Sequence, residues 1–148
     1  LLQFAQILPK SHTMEFVGNQ LLFIHLLLSF PLLLPPLWNL FCLFTKESHT
    51  QKLRFLAITA PAYYMLLSAC IFSGLVIWAM LGFIMDFKIL TMLVLWLVCF
   101  VLEIMRHKRQ KLIKVEADKL KREAFFLWAK LKYSFDLCAF AILLFWAI

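Results

Sequence analysis

The chain has 148 residues, of which 64% are hydrophobic and 16% charged, with a net charge of +7. A soluble domain carries roughly 45–50% apolar and about 25% charged residues, and one of this size has no interior large enough for sixteen phenylalanines and five tryptophans. The positive charge does not indicate nucleic acid: eight of the fifteen Lys and Arg residues lie between Arg106 and Arg122, beside a membrane-length apolar run, which is how a cytoplasmic membrane loop looks.

These features predict an all-α polytopic membrane protein. It is a single domain of four transmembrane helices with spans at about 20–44, 55–85, 87–105 and 125–148. Residues 1–19 are mixed in character and read as a short surface segment. They lack the basic start and unbroken apolar core of a signal peptide; the chain opens on Leu1, and Met14 is an alternative start. The first span holds His25 and Asn39 as its only strongly polar members. Pro31, Pro35 and Pro36 lie within it. Each removes a backbone donor and crowds the preceding turn, so the first helix is expected to be broken there.

The second span carries Ala62, Ala69 and Ser73 on one helical stripe with Gly74 beside it, a pattern that lets helix backbones approach closely in lipid. Asp86 to Lys88 form a tight polar punctuation before the third span. Residues 106–124 form a basic connection with Ile113, Ala117, Leu120 and Ala124 at amphipathic helical spacing. The third helix is expected to continue past the bilayer and turn within this charged stretch, the remainder lying along the headgroups. The fourth span follows.

Alternating helix direction puts the loops after the first and third spans on one side. Those loops hold Lys46, Lys52 and Arg54 and then the eight cations of 106–122, with Lys130 and Lys132 just beyond; the other side holds Lys10 and Lys88. The positive-inside bias therefore predicts that both loops are cytoplasmic and both termini non-cytoplasmic.

Ionisable groups within a bilayer are functional candidates. His25 sits roughly 8 Å below the outer surface at 1.5 Å per residue. Its neutral imidazole can hydrogen-bond another helix, ligate haem iron or another metal, or relay a proton. Lys88, with Asp86, begins the third helix at similar depth; it either snorkels to the headgroups or converges with His25 on an outward-facing site. Asp136 lies nearest the midplane of the fourth span, with Tyr133 one turn before it, and Tyr63 or Tyr64 can supply it a donor. It reads equally as an interior pair and as a functional acid. Glu103, near the cytoplasmic end, reads as half of a surface ion pair with Arg106 or His107. Met80, Met85 and Met92 flank the outer ends of spans two and three, where thioethers and a histidine suit Cu(I), although methionine also fills irregular cores. The four cysteines each sit in apolar runs without a C-x-x-C pair and behave as small hydrophobes. No P-loop, zinc-protease, nucleophile-elbow or dinucleotide motif occurs.

The segments FIHLLL around His25, PAYYMLLSACIFSGL around Gly74 and MDFKILTMLVLW around Lys88 give the chain a resemblance to the small bacterial four-helix membrane proteins of the HemJ-type protoporphyrinogen oxidase and CopD-like group. The resemblance implies a haem-associated site near the non-cytoplasmic face, with His25 as axial and metal ligand and Lys88 as a nearby functional lysine. Two other classes stand beside it. One is a non-catalytic subunit of a larger membrane complex, whose helices would pack against copies of itself or other membrane subunits. The other is a proton or small-solute carrier using Asp136 and the proline-broken first helix.

Overall fold

The computed structural model describes residues 12–45, 48–115 and 117–147, with the side chains of 16–45, 48–115 and 117–146. The expected surface segment, as far as residue 11, and the cations Lys10 and Lys46 lie outside these. The described chain is all helical, with no strand. Its elements are α1 (His12–Ser29), a 3-10 turn (Pro31–Leu33), α2 (Leu34–Phe44), α3 (His49–Met80), α4 (Phe87–Lys114) and α5 (Lys119–Ala147). Three helical stretches are long and apolar enough to cross a membrane: Phe16–Phe44, His49–Met80 and Phe87–Lys114. α5 is of similar length, but Lys130, Lys132 and Asp136 interrupt its apolar run.

The prolines act through the backbone pattern. Pro31 opens the 3-10 turn and Pro35 lies in the first turn of α2, where a missing N–H costs least. Phe30, Leu33 and Leu34 all keep right-handed helical dihedrals between α1 and α2. Ser48 caps α3, its side chain accepting from the Gln51 amide at 3.4 Å. Asp86 caps α4, accepting from the Phe87 amide at 2.8 Å. Between α3 and α4 the chain reverses through Gly82 and Phe83, both with positive φ (71° and 58°), and Trp78 Nε1 donates to the Ile84 carbonyl to close the turn. At the other end α4 runs on to Lys114, with Lys111 and Lys114 in its last turn, where cations meet the helix dipole favourably. Residues 119–124 form the first turns of α5.

α1 packs on α3, α2 on α3 and α5, and α4 on α5 and α3. Two apolar clusters result. Leu43, Leu53, Leu56, Phe125, Phe126 and Ala129 gather at the basic end of the bundle, with Tyr133 at their inner edge. Leu32, Leu67, Ala139, Phe140 and Cys99 gather nearer the His25 end, with Tyr63 at their inner edge. Large apolar side chains are exposed along the helices: Phe23, Phe30, Phe41, Met65, Phe72 and Leu131 are each more than 60% exposed. Such a surface is satisfied by lipid.

Candidate functional site

Between the two apolar clusters lies a layer of acidic and basic side chains. Glu103 and Arg106 on α4 are fully buried and joined by a 2.6 Å Arg106 Nε–Glu103 Oε1 bond. Their spacing of three residues places them one turn apart on one helix face. On α5, Lys132 pairs with the second oxygen of Glu103 and, at 2.7 Å, with Asp136 Oδ2, one turn further along its own helix. Tyr63 on α3 donates to the same Asp136 oxygen at 2.8 Å, and the Cys99 thiol sits beside that carboxylate. Toward the basic end Arg106 donates to Gln110 Oε1, and Gln110 Nε2 donates to the Leu53 carbonyl at 2.8 Å. The chain of contacts thus binds α3, α4 and α5 together. It contains two acidic and two basic side chains. Lys132 also lies against the faces of Tyr63 and Tyr133, 4.8 and 4.2 Å from the ring centroids.

The sequence gives Asp136 two tyrosine candidates, and Tyr63 is the one that reaches it. Tyr64 instead packs edge-on to Phe100. Glu103 requires a correction: its pair with Arg106 exists, but both side chains are fully buried rather than at the surface. Lys132, taken from the sequence as a loop-adjacent cation, is the interior partner of both acids. Two signals could have shown this. Glu103, Arg106 and Gln110 stand at i, i+3 and i+7, and Lys132 and Asp136 at i, i+4, each a polar stripe inside an apolar run.

The second constellation lies at the opposite end, in a cavity of about 200 Å³ bounded by α1, α3, α4 and α5. His25 Nδ1 is 2.7 Å from Ser73 Oγ, and Ser73 itself donates to the Cys70 carbonyl at 3.0 Å. One turn along α1, Ser29 Oγ bonds the His25 carbonyl and lies 3.5 Å from Cys70 Sγ. Gly74 gives the imidazole room: a β-carbon at that position would stand 3.3 Å from Cε1, closer than most such contacts. The small-residue stripe therefore serves close packing at its Ser73–Gly74 end, whereas Ala62 at its other end is exposed.

With Nδ1 engaged by a hydroxyl, Nε2 has no hydrogen-bond partner among the described residues. A histidine held through one ring nitrogen by an outer group is the arrangement that presents the other to a metal. The cavity walls are almost wholly apolar, with Trp78, Trp96, Met80, Met92 and Cys70 among them and Lys88 as their single cation. Lys88 Nζ also lies 5.7 Å from the Trp146 ring centroid. His25 and Lys88 therefore do line one cavity. Met85 does not line it and is 55% exposed. Asp136 belongs to the polar layer instead. Among the described residues no group of three or more His, Cys, Asp or Glu side chains could by itself hold a metal ion, so any metal here would rest on His25 and on ligands it brings.

The cavity thus presents one imidazole held by Ser73, aromatic and aliphatic walls, and one lysine. The volume is below the roughly 300–1,000 Å³ typical of ligand pockets, but the cavity is partly open at the bundle surface, which leaves room for a ligand to extend toward lipid. Comparison with models of known families, with curated proteins and with solved structures gives no match for this chain.

Proposed function

We propose that the chain is a small inner-membrane protein that binds haem in the cavity around His25, near the non-cytoplasmic face. In this reading all four helical paths span the bilayer, α5 included, the first being interrupted at its prolines, and both termini are non-cytoplasmic. The concentration of cations in the turns after α2 and α4 supports that orientation. The observation that carries the binding proposal is the His25 Nε2 atom, unpartnered in an apolar cavity while Nδ1 is held by Ser73. His25 would be the axial ligand and Lys88 the partner of an acidic substituent. Haem, when bound, would supply a one-electron redox centre. Trp78, Trp96 and the aliphatic wall would exclude water from it.

Detergent-purified protein is expected to show a Soret band, natively or on titration with haemin, and His25→Ala to lose it. A spectrum without that band, together with His25→Ala indistinguishable from the parent, would sink the cofactor reading. Fixed copurifying partners in that event would favour the subunit reading. Asp136 Oδ2 accepts from Tyr63 and pairs with Lys132, while its buried Oδ1 has no hydrogen-bond partner among the described residues. Topology is checked separately: a membrane-impermeant maleimide on intact cells should label Ile84→Cys and spare Lys108→Cys.

A further inference from the structure

The packing of α1 shows where the cavity around His25 opens. α1 packs on α3 and on the 3-10 turn but does not pack closely on α4 or α5, although all four helices line the cavity. The seam between α1 and the α4–α5 pair is therefore its open side. Along α1 the lining runs from Gly18 to Ser29, roughly 16 Å at about 1.5 Å per residue. The opening is thus a slot along the helix axes, and Leu21, Leu22, His25 and Leu26 are only half-buried beside it.

The outer faces of the same helices are apolar. Phe23 and Leu27 on α1, Leu90 and Val94 on α4, and Ile142 and Phe145 on α5 are all exposed. With the helices in a membrane, what meets the slot from outside is hydrocarbon rather than water. The cation of the wall, Lys88, stands in the first turn of α4 with its Nζ against the Trp146 ring, and Trp146 is itself part of the wall. Lysine and tryptophan together are the side chains of a headgroup boundary. A slot apolar along its length, with that pair at one end, matches a molecule oriented as a lipid is. α1 is the wall that can yield to a wide body, because Pro31 offers no N–H to the Leu27 carbonyl and the chain bends at Phe30.

We propose that the His25 cavity is loaded sideways from the bilayer, through the seam between α1 and the α4–α5 pair, by an amphiphile with an acidic end and an apolar body. The acid stops at Lys88, and the body lies against Leu22, Met92 and Leu143, which line the cavity from α1, α4 and α5. A ligand already dissolved in lipid has no hydration to lose on entering such walls, whereas one arriving from water would leave its polar groups short of partners there. The inference rests on the reading of this cavity as a binding site, and not on haem being the molecule that fills it.

The test is photolabelling of the full chain in phosphatidylcholine nanodiscs that carry a fatty acid with a diazirine in its chain, the adducts being mapped by peptide mass spectrometry. Adducts should appear on the slot-facing residues Leu22, Met92 and Leu143 as well as on the lipid-facing Phe23 and Leu27. Leu22→Trp/Leu143→Trp, which adds bulk on both sides of the seam, should remove the Met92 adducts and leave those at Phe23 and Leu27. Lys88→Gln should lower the slot-facing adducts by on the order of tenfold, the loss expected for one hydrogen bond to a charged group, without altering labelling by the matching diazirine alcohol. Adducts confined to Phe23 and Leu27 in the parent, or Met92 adducts undiminished in Leu22→Trp/Leu143→Trp, would overturn the proposal. Haemin titration separates it from the haem reading. Slot-facing adducts without a Soret band support lateral loading and count against haem; a Soret band without slot-facing adducts overturns lateral loading alone.

Discussion

The two ends of the α3–α4–α5 core treat polar side chains in opposite ways. In the polar layer every charged group meets another: Glu103 takes both Arg106 and Lys132, and Lys132 is shared with Asp136, which Tyr63 also reaches. Around His25 the hydrogen-bonded groups are hydroxyls and a thiol, the one lysine of the wall, Lys88, stands apart from them, and one ring nitrogen has no hydrogen-bond partner among the described residues. Removing two charges from water costs several kcal/mol per ion, and a buried pair recovers this only through close geometry and additional hydrogen bonds. The layer joins α3, α4 and α5 and so specifies which helices lie together, although Arg106 Nη2, Tyr133 Oη and Asp136 Oδ1 are buried without a hydrogen-bond partner among the described residues. The cavity holds no such charged network, and in the proposed reading its His25 Nε2 is the atom that binds. Polarity inside the bundle is therefore a guide to function only after its partners have been counted.

The contrast can be broken at several points. Glu103→Gln should have the largest effect, since it leaves Arg106 and Lys132 short of a carboxylate; a loss of about 3–5 kcal/mol is expected for breaking a buried pair, read as a lower unfolding midpoint in detergent. A midpoint within error of the parent would show that the layer does not hold the fold. Tyr63→Phe removes one bond to a charged acceptor while the Lys132–Asp136 pair remains, and should cost about 1.5–3 kcal/mol. Ser73→Ala should leave the unfolding midpoint almost unchanged while weakening haem affinity roughly 10–100-fold, as loss of an outer group behind a ligating histidine does. An equal fall in stability and affinity would place His25 with the structural residues. Thr59→Val tests the smallest term. Thr59 Oγ1 donates at 2.6 Å to Asn39 Oδ1 on α2, outside both regions, and its loss should cost only about 0.5–1.5 kcal/mol.

Much of the architecture was legible because it depends on local composition. Apolar runs of sufficient length, the Asp86 cap and the basic stretch after residue 105 all act over a few residues. The His25 cavity was partly legible for the same reason: Gly74 and Ser73 are small residues on one stripe, and His25 and Lys88 fall at matching depth. The polar layer was much less so. Glu103 and Lys132 are 29 residues apart on different helices, and no local pattern states that α4 and α5 turn those faces toward each other. Depth judged along one helix also misplaced Lys132, because its long stem carries the ammonium away from its own backbone level and onto Glu103.

α5 is the helix whose charges are answered from outside it. In the proposed topology it enters the bilayer carrying Lys132 and Asp136, each costing roughly 2.5–3.5 kcal/mol near the centre of an isolated span. Lys132 and Asp136 offset part of that for each other, and Glu103 of α4 and Tyr63 of α3 supply the rest. α5 leaves the ribosome after α3 and α4, and of these helices it is the one least able to settle in lipid alone. In a membrane-insertion assay, α5 presented by itself should integrate poorly, and the same segment preceded by α3 and α4 should integrate well. Glu103→Gln should reduce that gain. The acid on α4 then serves as a receptor for a helix not yet made, and the order of synthesis becomes part of how the bundle is assembled.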